Sequence, residues 1–511
     1  MELKKLQNGS DIRGVALETP LGPPINLDPI SAAKLAQGFL TFLKEKEDNS
    51  VNDLVISVGR DPRISGPALS QAICSSLAKA GARVLDAGLA STPAMFMSTV
   101  FPEYNCHGAI MITASHMPME RNGMKFFSKD GGLEKADISR IIEIAETVSF
   151  DPDELENFVS SPISLMDTYS RHLRNIIIEG VNKGALPLAG IKITVDAGNG
   201  AGGFYAKEVL QPLGADISSS QFLEPDGTFP NHMPNPEDRK AMEAISQRVK
   251  EAASDLGIIF DTDVDRASAV DEKGKEIAHN GIVAAAAALI AKDHPGTTVV
   301  TDSVTSIQLK DFLENKLGLK HLRYKRGYRN VIGKAIELNN EGIDSQLAIE
   351  TSGHAAFKEN YFLDDGAYLA TLIVIYTAKL ASQGLGISHL IQDLQEPLES
   401  LEFRLPFKEN ILEAKNYDFS LRGDVIIDAL KEAVKSGFFP TASLEEPNYE
   451  GVRINFKGED IQGWALLRKS LHDPLMPLNI EASCPGGAKK IADLLGEFLK
   501  NYEELDISAL E

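Results

Sequence analysis

Short β-rich runs alternate with helical stretches along most of the chain. Leu54–Val58 reads as a strand, followed by a loop over Arg60–Gly66 and a helix running to about Ala80. Ala82–Leu85 is the next strand. Gly108–Thr113 is apolar enough for burial on both faces and runs into the loop around Ser115. Ile191–Val195 enters a glycine-rich turn, and Gly257–Phe260 enters an acidic loop over 261–266. Ala267–Val270 and Glu276–Ala278 flank Asp271–Lys275, a hairpin pattern with Gly274 in the turn. Thr298–Thr301 and Gln346–Ile349 are further strands, the second delivering Glu350. Asp364 and Asp365 precede a long helix from Gly366 to about Ala381, acids at its positive end. The alternation predicts α/β layers. Loops rich in Pro, Gly and charge near 151–154, 271–280 and 395–400 divide the chain into four segments: 1–155, 156–275, 276–395 and 396–511. The last changes character from about Leu401 and carries the only tryptophan, Trp464.

The 511 residues are 43% hydrophobic and 24% charged, so each segment can bury an ordinary core. The net charge of −22 argues against nucleic acid or an anionic membrane as partner. Any anion site has to be a local cluster of cations within a repelling overall field. Cys74, Cys106 and Cys484 are widely spaced, which favours neither a disulfide framework nor a structural zinc site and makes a reducing compartment the default. Met1–Arg13 has no apolar signal core, and Ile282–Ala291 is too short to span a bilayer and reads as a buried helix. Cytoplasmic location is the expectation. The interior of an organelle such as a plastid, after loss of a targeting segment, is the alternative.

Four loops carry chemistry. In Thr113–Pro118 a buried strand stops and Ser115 and His116 appear together; such a serine can be a nucleophile or carry a phosphoryl group. Lys125, just beyond, can supply a charge or move a proton if the loop folds back. Taken alone, the pair also reads as an ordinary Ser/Pro turn. Asp261, Asp263 and Asp265 leave a strand end at alternating positions, which in extended backbone point the same way and make a hard oxygen site suited to Mg²⁺. Arg266 would sit beside that metal and could hold a phosphate. Glu350 and Ser352 alternate at another strand end; a carboxylate and a hydroxyl suit vicinal sugar hydroxyls, and Gly353 permits close backbone approach. Arg468, Lys469 and Ser470 could bind a phosphate. Two further loops are plainer. Ser65, in the Arg60–Gly66 loop, reads as a helix cap. Gly198–Gly203 satisfies G-x-G-x-x-G, but Asp216 comes too early for a ribose contact, so a tight strand-to-helix turn is preferred to dinucleotide binding.

In order, these loops resemble the signature loops of the α-D-phosphohexomutase family over essentially the whole chain. Thr113–Pro118 matches the family's T-[AG]-S-H-N-P at all positions but one. Asp261–Arg266 matches D-[GP]-D-x-D-R save for Thr262, and Glu350–His354 matches E-x-S-G-H. Arg468–Pro474 is a degraded R-P-S-G-T-E-P, while Asp11–Gly14 is similar to D-x-R-G and Arg60–Gly66 to R-D-x-R-x-S-G. The resemblance implies three related mixed α/β domains and a distinct, smaller C-terminal α/β domain around a central cleft, each with one key loop. It implies a phosphoserine at Ser115, Mg²⁺ held by Ser115, Asp261, Asp263 and Asp265, and interconversion of hexose 1- and 6-phosphates through a bisphosphorylated sugar. A hexose 1,6-bisphosphate would act as activator. Arg13, His116, Lys125, Arg266 and His354 fall at the family's catalytic centre. Glu350 and Ser352 would grip the sugar, and Arg468, Lys469, Ser470 and His472 would meet the phosphate that is not reacting. The state implied is monomer or dimer.

Several positions depart from the family pattern. Met117 replaces an asparagine, Thr351 is neither the usual Met nor Gln, and Lys469, Leu471, His472 and Asp473 replace Pro, Gly, Thr and Glu. Tyr328 and Arg329 follow Gly327, where the family often has His or Lys. The reading is an active mutase of phosphoglucomutase/phosphomannomutase type, with a phosphoglucosamine mutase as the alternative. A retired mutase that binds sugar phosphates as a regulator is a third reading.

Overall fold

The computed structural model describes residues 2–20, 22–47, 54–149, 161–470 and 473–510. The expected boundary at 155/156 lies outside the described residues, as do Leu471 and His472. The chain divides into two compact units, one of residues 1–294 with 344–392, the other of 295–343 with 393–511. Segment 276–395 thus contributes to both.

The first unit begins with a mixed sheet. Its order is Gln7–Asn8, Asp11–Val15, Arg121–Ser128, Gly108–Ile112, Val55–Arg60 and Arg83–Leu89. Val55–Arg60 runs parallel to both Arg83–Leu89 and Gly108–Ile112, while Arg121–Ser128 is antiparallel to Gly108–Ile112. All five residues of Gly108–Ile112 are buried, as the continuous apolar run predicted. Helices Pro29–Glu47, Gly66–Lys79 and Lys135–Thr147 cover one face, where Phe39, Leu43, Ile73, Ile110, Phe126 and Ile141 share a core. Ser65 does not cap the helix after it: it sits in helical backbone, and its hydroxyl accepts from Asn122 Nδ2 at 2.8 Å.

A second sheet orders Glu276–Ile277, Ala267–Val270, Leu256–Phe260 and Ile193–Asp196. The predicted hairpin forms, with Val270 opposite Glu276 across the expected 275/276 boundary. Gly274 takes φ +73° in its turn, and Asp271 Oδ1 accepts from the Lys273 and Lys275 amides at 2.9 and 2.8 Å. The glycine-rich turn after Ile193–Asp196 packs on protein. A Cβ at Gly200 would lie 2.8 Å from the Thr262 carbonyl, and one at Gly203 would strike the Leu223 carbonyl. The space a pyrophosphate would need is filled by main chain, so the turn reading holds. The same unit contains the antiparallel strands Leu347–Ile349, Ala355–Phe357 and Leu363–Asp364 and the helices Asn280–Ala291 and Gly366–Ala381. Ile282–Ala287 are all buried, as expected.

The second unit holds the parallel strands Thr298–Thr301 and Lys320–Arg323, the helix Tyr328–Asn340 and a five-stranded antiparallel sheet. That sheet orders Glu399–Pro406, Leu475–Ala482, Ile461–Leu467, Val452–Gly458 and Ala442–Leu444. Helices Phe419–Lys435 and Gly487–Leu499 share its core through Ile426, Leu430, Ile491 and Leu495. Trp464 is buried, donates to Glu481 Oε2 at 2.8 Å, and lies 3.6 Å beneath the Arg453 guanidinium. The fold is therefore mixed α/β, with a C-terminal α/β domain of different sheet topology. Among the described residues no helix is long and apolar enough to cross a membrane.

Helix Gly366–Ala381 starts directly against the acidic loop. A Cβ at Gly366 would lie 2.5 Å from the Arg266 carbonyl carbon and 3.0 Å from the Ala267 nitrogen. Gly366→Ala therefore has to displace backbone, and we expect it to destabilise by about 1–3 kcal/mol. Urea denaturation checks this; an unchanged midpoint would show that the helix start can slide.

Candidate active site

Ser115 stands just past the end of the buried strand Gly108–Ile112 with φ +49°, a left-handed conformation unusual for a residue with a side chain. Its hydroxyl donates to Asp261 Oδ2 at 2.9 Å and lies 3.3 Å from His116 Nδ1. Arg266 Nη2 points at the same oxygen from 3.5 Å.

Asp261, Asp263 and Asp265 converge, but not by the alternation of an extended strand. The segment folds into a turn, with Val264 at φ +68° and fully buried. For a β-branched residue that is a strained position, held where the Val264 carbonyl accepts from Gly366 N at 3.0 Å. The result places one carboxylate oxygen of each aspartate within 4.8 Å of the others. Thr92 braces the middle carboxylate: its hydroxyl donates to Asp263 Oδ2 at 2.5 Å and its amide to the Asp263 carbonyl at 2.8 Å.

Lys125 arrives on strand Arg121–Ser128, paired opposite Met111, rather than by a loop folding back. Its ammonium donates to Asp265 Oδ2 and lies 3.4 Å from Asp263 Oδ2. Burial raises the Asp261 carboxyl well above the usual range, and the Asp265 and Asp263 charges add to the rise. Burial acts the same way on Asp265. There Lys125, His354 and Arg266 override it and hold the carboxyl well below its ordinary value. Asp263 Oδ1 and Asp265 Oδ1 are buried and have no hydrogen-bond partner. Buried carboxylate oxygens left so are costly unless a cation completes them. Three hard oxygen donors with two unfilled acceptors fit a divalent ion of the Mg²⁺ type.

Arg266 is buried, with Nε 3.3 Å from Asp261 Oδ2 and Nη1 3.3 Å from Glu237 Oε2. Its Nη2 donates to His116 Nδ1 at 2.7 Å. A guanidinium only donates, so Nδ1 carries the lone pair and neutral His116 is protonated on Nε2. Although His116 as a residue is exposed, burial around its imidazole, then the Arg266 and Arg13 charges, push its pKa down to about 4. Arg13 bridges Asp11 Oδ2 and the Thr113 carbonyl, each at 2.8 Å. Arg13, Lys125 and Arg266 are thus the local cation cluster that the acidic composition demanded.

The loop Glu350–His354 is stapled to the acidic loop. Gly353 has φ +92°, and a Cβ there would lie 2.5 Å from the Ala267 carbonyl, so the close approach it permits is to the protein's own main chain. Ser352 Oγ and Glu350 Oε2 lie 2.8 and 3.6 Å from His354 Nδ1, while His354 Nε2 lies 3.6 Å from Asp265 Oδ1. Burial first, then the cations Arg266 and Lys125, hold His354 well below its ordinary pKa despite Asp265.

Arg468, Lys469 and Ser470 belong to the second unit. Arg468 is buried with Nε unpartnered, and Glu450 and Arg326 are the charges that act on it most strongly. Glu450 itself accepts from the Ser303 hydroxyl and, at 3.2 Å, from the Arg326 amide. Lys469 turns elsewhere: its ammonium pairs with Asp424 at 2.7 Å and reaches Ser420 Oγ at 3.0 Å. Ser470 Oγ accepts from the Asp473 amide at 3.2 Å. Thr92, Glu237, Ser303 and Glu450 carry no sequence signal, because single residues acquire these roles only through long-range contacts.

A serine aimed at a buried acidic trio among cations defines an enzyme built to handle a phosphoryl group. Comparison with known proteins is specific. Family models for phosphoglucomutase/phosphomannomutase α/β/α domains I, II and III match residues 4–151, 167–274 and 278–397. A phosphomannomutase/phosphoglucomutase from Pseudomonas syringae is 28% identical over 463 residues, 90% of each chain. A phosphoglucosamine mutase from Lactobacillus johnsonii is 32% identical over 400 residues, 76% of this chain and 81% of its own. The crystal structure of a phosphoglucomutase/phosphomannomutase family protein from Burkholderia thailandensis covers 98% of each chain, with TM-score 0.77 and 25% identity. The chain belongs to the phosphoglucomutase/phosphomannomutase family of α-D-phosphohexomutases, and is an isomerase of that class.

The ring of His116 provides a direct check. Its folded pKa lies below the ordinary 6.5, so its contribution to stability is present above pH 6.5 and is lost as pH falls through about 4. In the unphosphorylated, metal-free protein, NMR titration of the imidazole protons should give a midpoint near 4. An ordinary midpoint would mean that Arg266 does not hold Nδ1.

Proposed function

We propose that the protein interconverts hexose 1-phosphates and hexose 6-phosphates by way of a phosphoserine at Ser115. The observation that carries this is the 2.9 Å bond from Ser115 Oγ to Asp261, beside two buried carboxylate oxygens that accept no hydrogen bond.

In the phosphorylated enzyme the sugar's free hydroxyl attacks the phosphorus on Ser115. A new sugar O–P bond forms, the Oγ–P bond breaks, and the hydroxyl proton leaves through a neighbouring group. Lys125 and His354 are the groups placed to move that proton. The bisphosphorylated sugar turns over and returns its other phosphoryl group to Ser115. Mg²⁺ held by Asp261, Asp263, Asp265 and Ser115 would draw charge from the transferring phosphoryl. Arg266 keeps Asp261 and His116 in register, and Arg13 ties the serine loop to its neighbouring strand. Glu350 and Ser352 grip sugar hydroxyls. Arg468 and Ser470 hold the phosphate that is not reacting. A hexose 1,6-bisphosphate primes the enzyme. The three cysteines are unbridged, which suits the cytoplasm or a reducing organelle interior.

The test is a substrate panel of glucose, mannose and glucosamine phosphates with a hexose 1,6-bisphosphate and Mg²⁺. Turnover is expected on glucose or mannose phosphates. Preference for glucosamine phosphate would favour the alternative that the Lactobacillus johnsonii relative represents. Ser115→Ala should lower kcat by at least ~10³-fold, as loss of a nucleophile does. Chelation of the metal should abolish turnover reversibly. Ligand binding with no phosphoryl exchange at Ser115 would instead identify a retired mutase.

A further inference from the structure

Beneath the serine loop lies a buried ion pair that neither touches the candidate substrate groups nor reaches solvent. Arg63 and Asp61 are both 0% exposed. All five N–H donors of Arg63 are used. Nη2 donates to the carbonyls of Ser115 and Met117 at 2.5 and 2.6 Å, and Nη1 to those of Pro118 and Arg121 at 2.7 and 2.9 Å. Nε donates to Asp61 Oδ2 at 3.1 Å. Asp61 Oδ2 also accepts from the Thr113 hydroxyl at 2.7 Å, and Thr113 Oγ1 in turn accepts from the Ser115 amide at 2.9 Å. The same ion pair therefore grips Ser115 at both peptide groups: at its carbonyl directly, at its N–H through Thr113.

Ser115 needs such a grip. Its φ of +49° is disfavoured for a residue with a Cβ and persists only where the surroundings over-determine it. Left to relax, the backbone would rotate and carry Oγ away from Asp261. The second segment backs the clamp from the other side. Phe229 lies over the Arg63 guanidinium at 5.3 Å, and a Cβ at Gly227 would sit 2.8 Å from Arg63 Cα.

We propose that Arg63, with Asp61 and Thr113, is the positioning group that fixes the left-handed backbone of Ser115 and so aims its Oγ at the aspartate trio. This rests on Ser115 being the phosphoryl carrier. Arg63 is not a catalytic residue; it acts only through the serine's main chain. Lysine keeps the charge opposite Asp61 but cannot span four carbonyls in a planar fork.

The experiment follows phosphorylation of the Ser115 peptide by a hexose 1,6-bisphosphate, by mass spectrometry, together with steady-state kinetics. Wild type, Arg63→Lys and Thr113→Val are compared, each with its thermal midpoint. In Arg63→Lys, kcat and the Ser115 phosphorylation rate should fall about 10²-fold, the scale of a 1 Å misplacement, with KM nearly unchanged. Thr113→Val, close to isosteric, should lose roughly tenfold in the same two rates, one hydrogen bond's worth. Rates within roughly threefold of wild type in folded variants, or a rise in KM with kcat kept, would overturn the proposal. If Arg63→Lys does not fold, Thr113→Val decides alone. Wild-type protein that takes up no phosphoryl group would overturn the reading of Ser115 itself, a result distinct from a wild type that exchanges and variants that do too.

Discussion

Three buried carboxylates within 4.8 Å of one another are the constraint around which the first unit is arranged. Like charges so close and so dry repel strongly, and water cannot screen them. Lys125 and Arg266 answer part of that charge, one from a strand of the first sheet and the other from the end of the acidic loop itself. Thr92 answers one oxygen by a hydrogen bond. What is left are two buried oxygens with no hydrogen bond, the feature that lets the trio accept a cation.

The loops meet because glycines let main chain touch main chain. Gly353 meets the Ala267 carbonyl, Gly366 the Arg266 carbonyl, and Gly200 the Thr262 carbonyl. Each contact excludes a Cβ. Together they hold the acidic turn, including the strained Val264, between three other segments. Preorganisation of this kind places charged groups before a substrate arrives, which is how electrostatic stabilisation avoids reorganisation during reaction. His116 belongs to the same economy of space: with Nδ1 occupied by Arg266, only Nε2–H remains to face outward.

The second unit handles charge differently. Arg468 is buried and the charges that act on it most strongly are Glu450 and Arg326, while Lys469, next in sequence, leans on Asp424. Adjacent cations in a loop therefore have separate destinations. Arg468 is buried, and its Nε has no hydrogen-bond partner.

Much of this was legible in the residue pattern. The continuous apolar run before Ser115 became a fully buried strand, and the Asp271–Lys275 turn became a hairpin. Local rules suffice there, because a period of two or a turn glycine depends only on near neighbours. The convergence of Asp261, Asp263 and Asp265 was expected from extended alternation and is achieved by a turn with Val264 left-handed instead, its carbonyl accepting from the Gly366 amide of a distant segment. Ser65 looked like a cap and serves Asn122. Arg63 stood in plain view in the Arg60–Gly66 loop, yet its four carbonyl partners lie more than fifty residues away. Which residues could carry a phosphoryl group and a cation was determined by the sequence alone, since those chemistries belong to the side chains. Which carboxylate oxygens are left without a hydrogen bond, which histidine nitrogen holds the proton and what bends Ser115 into place were decided only by tertiary structure, because each depends on donors that chain folding brings from distant segments.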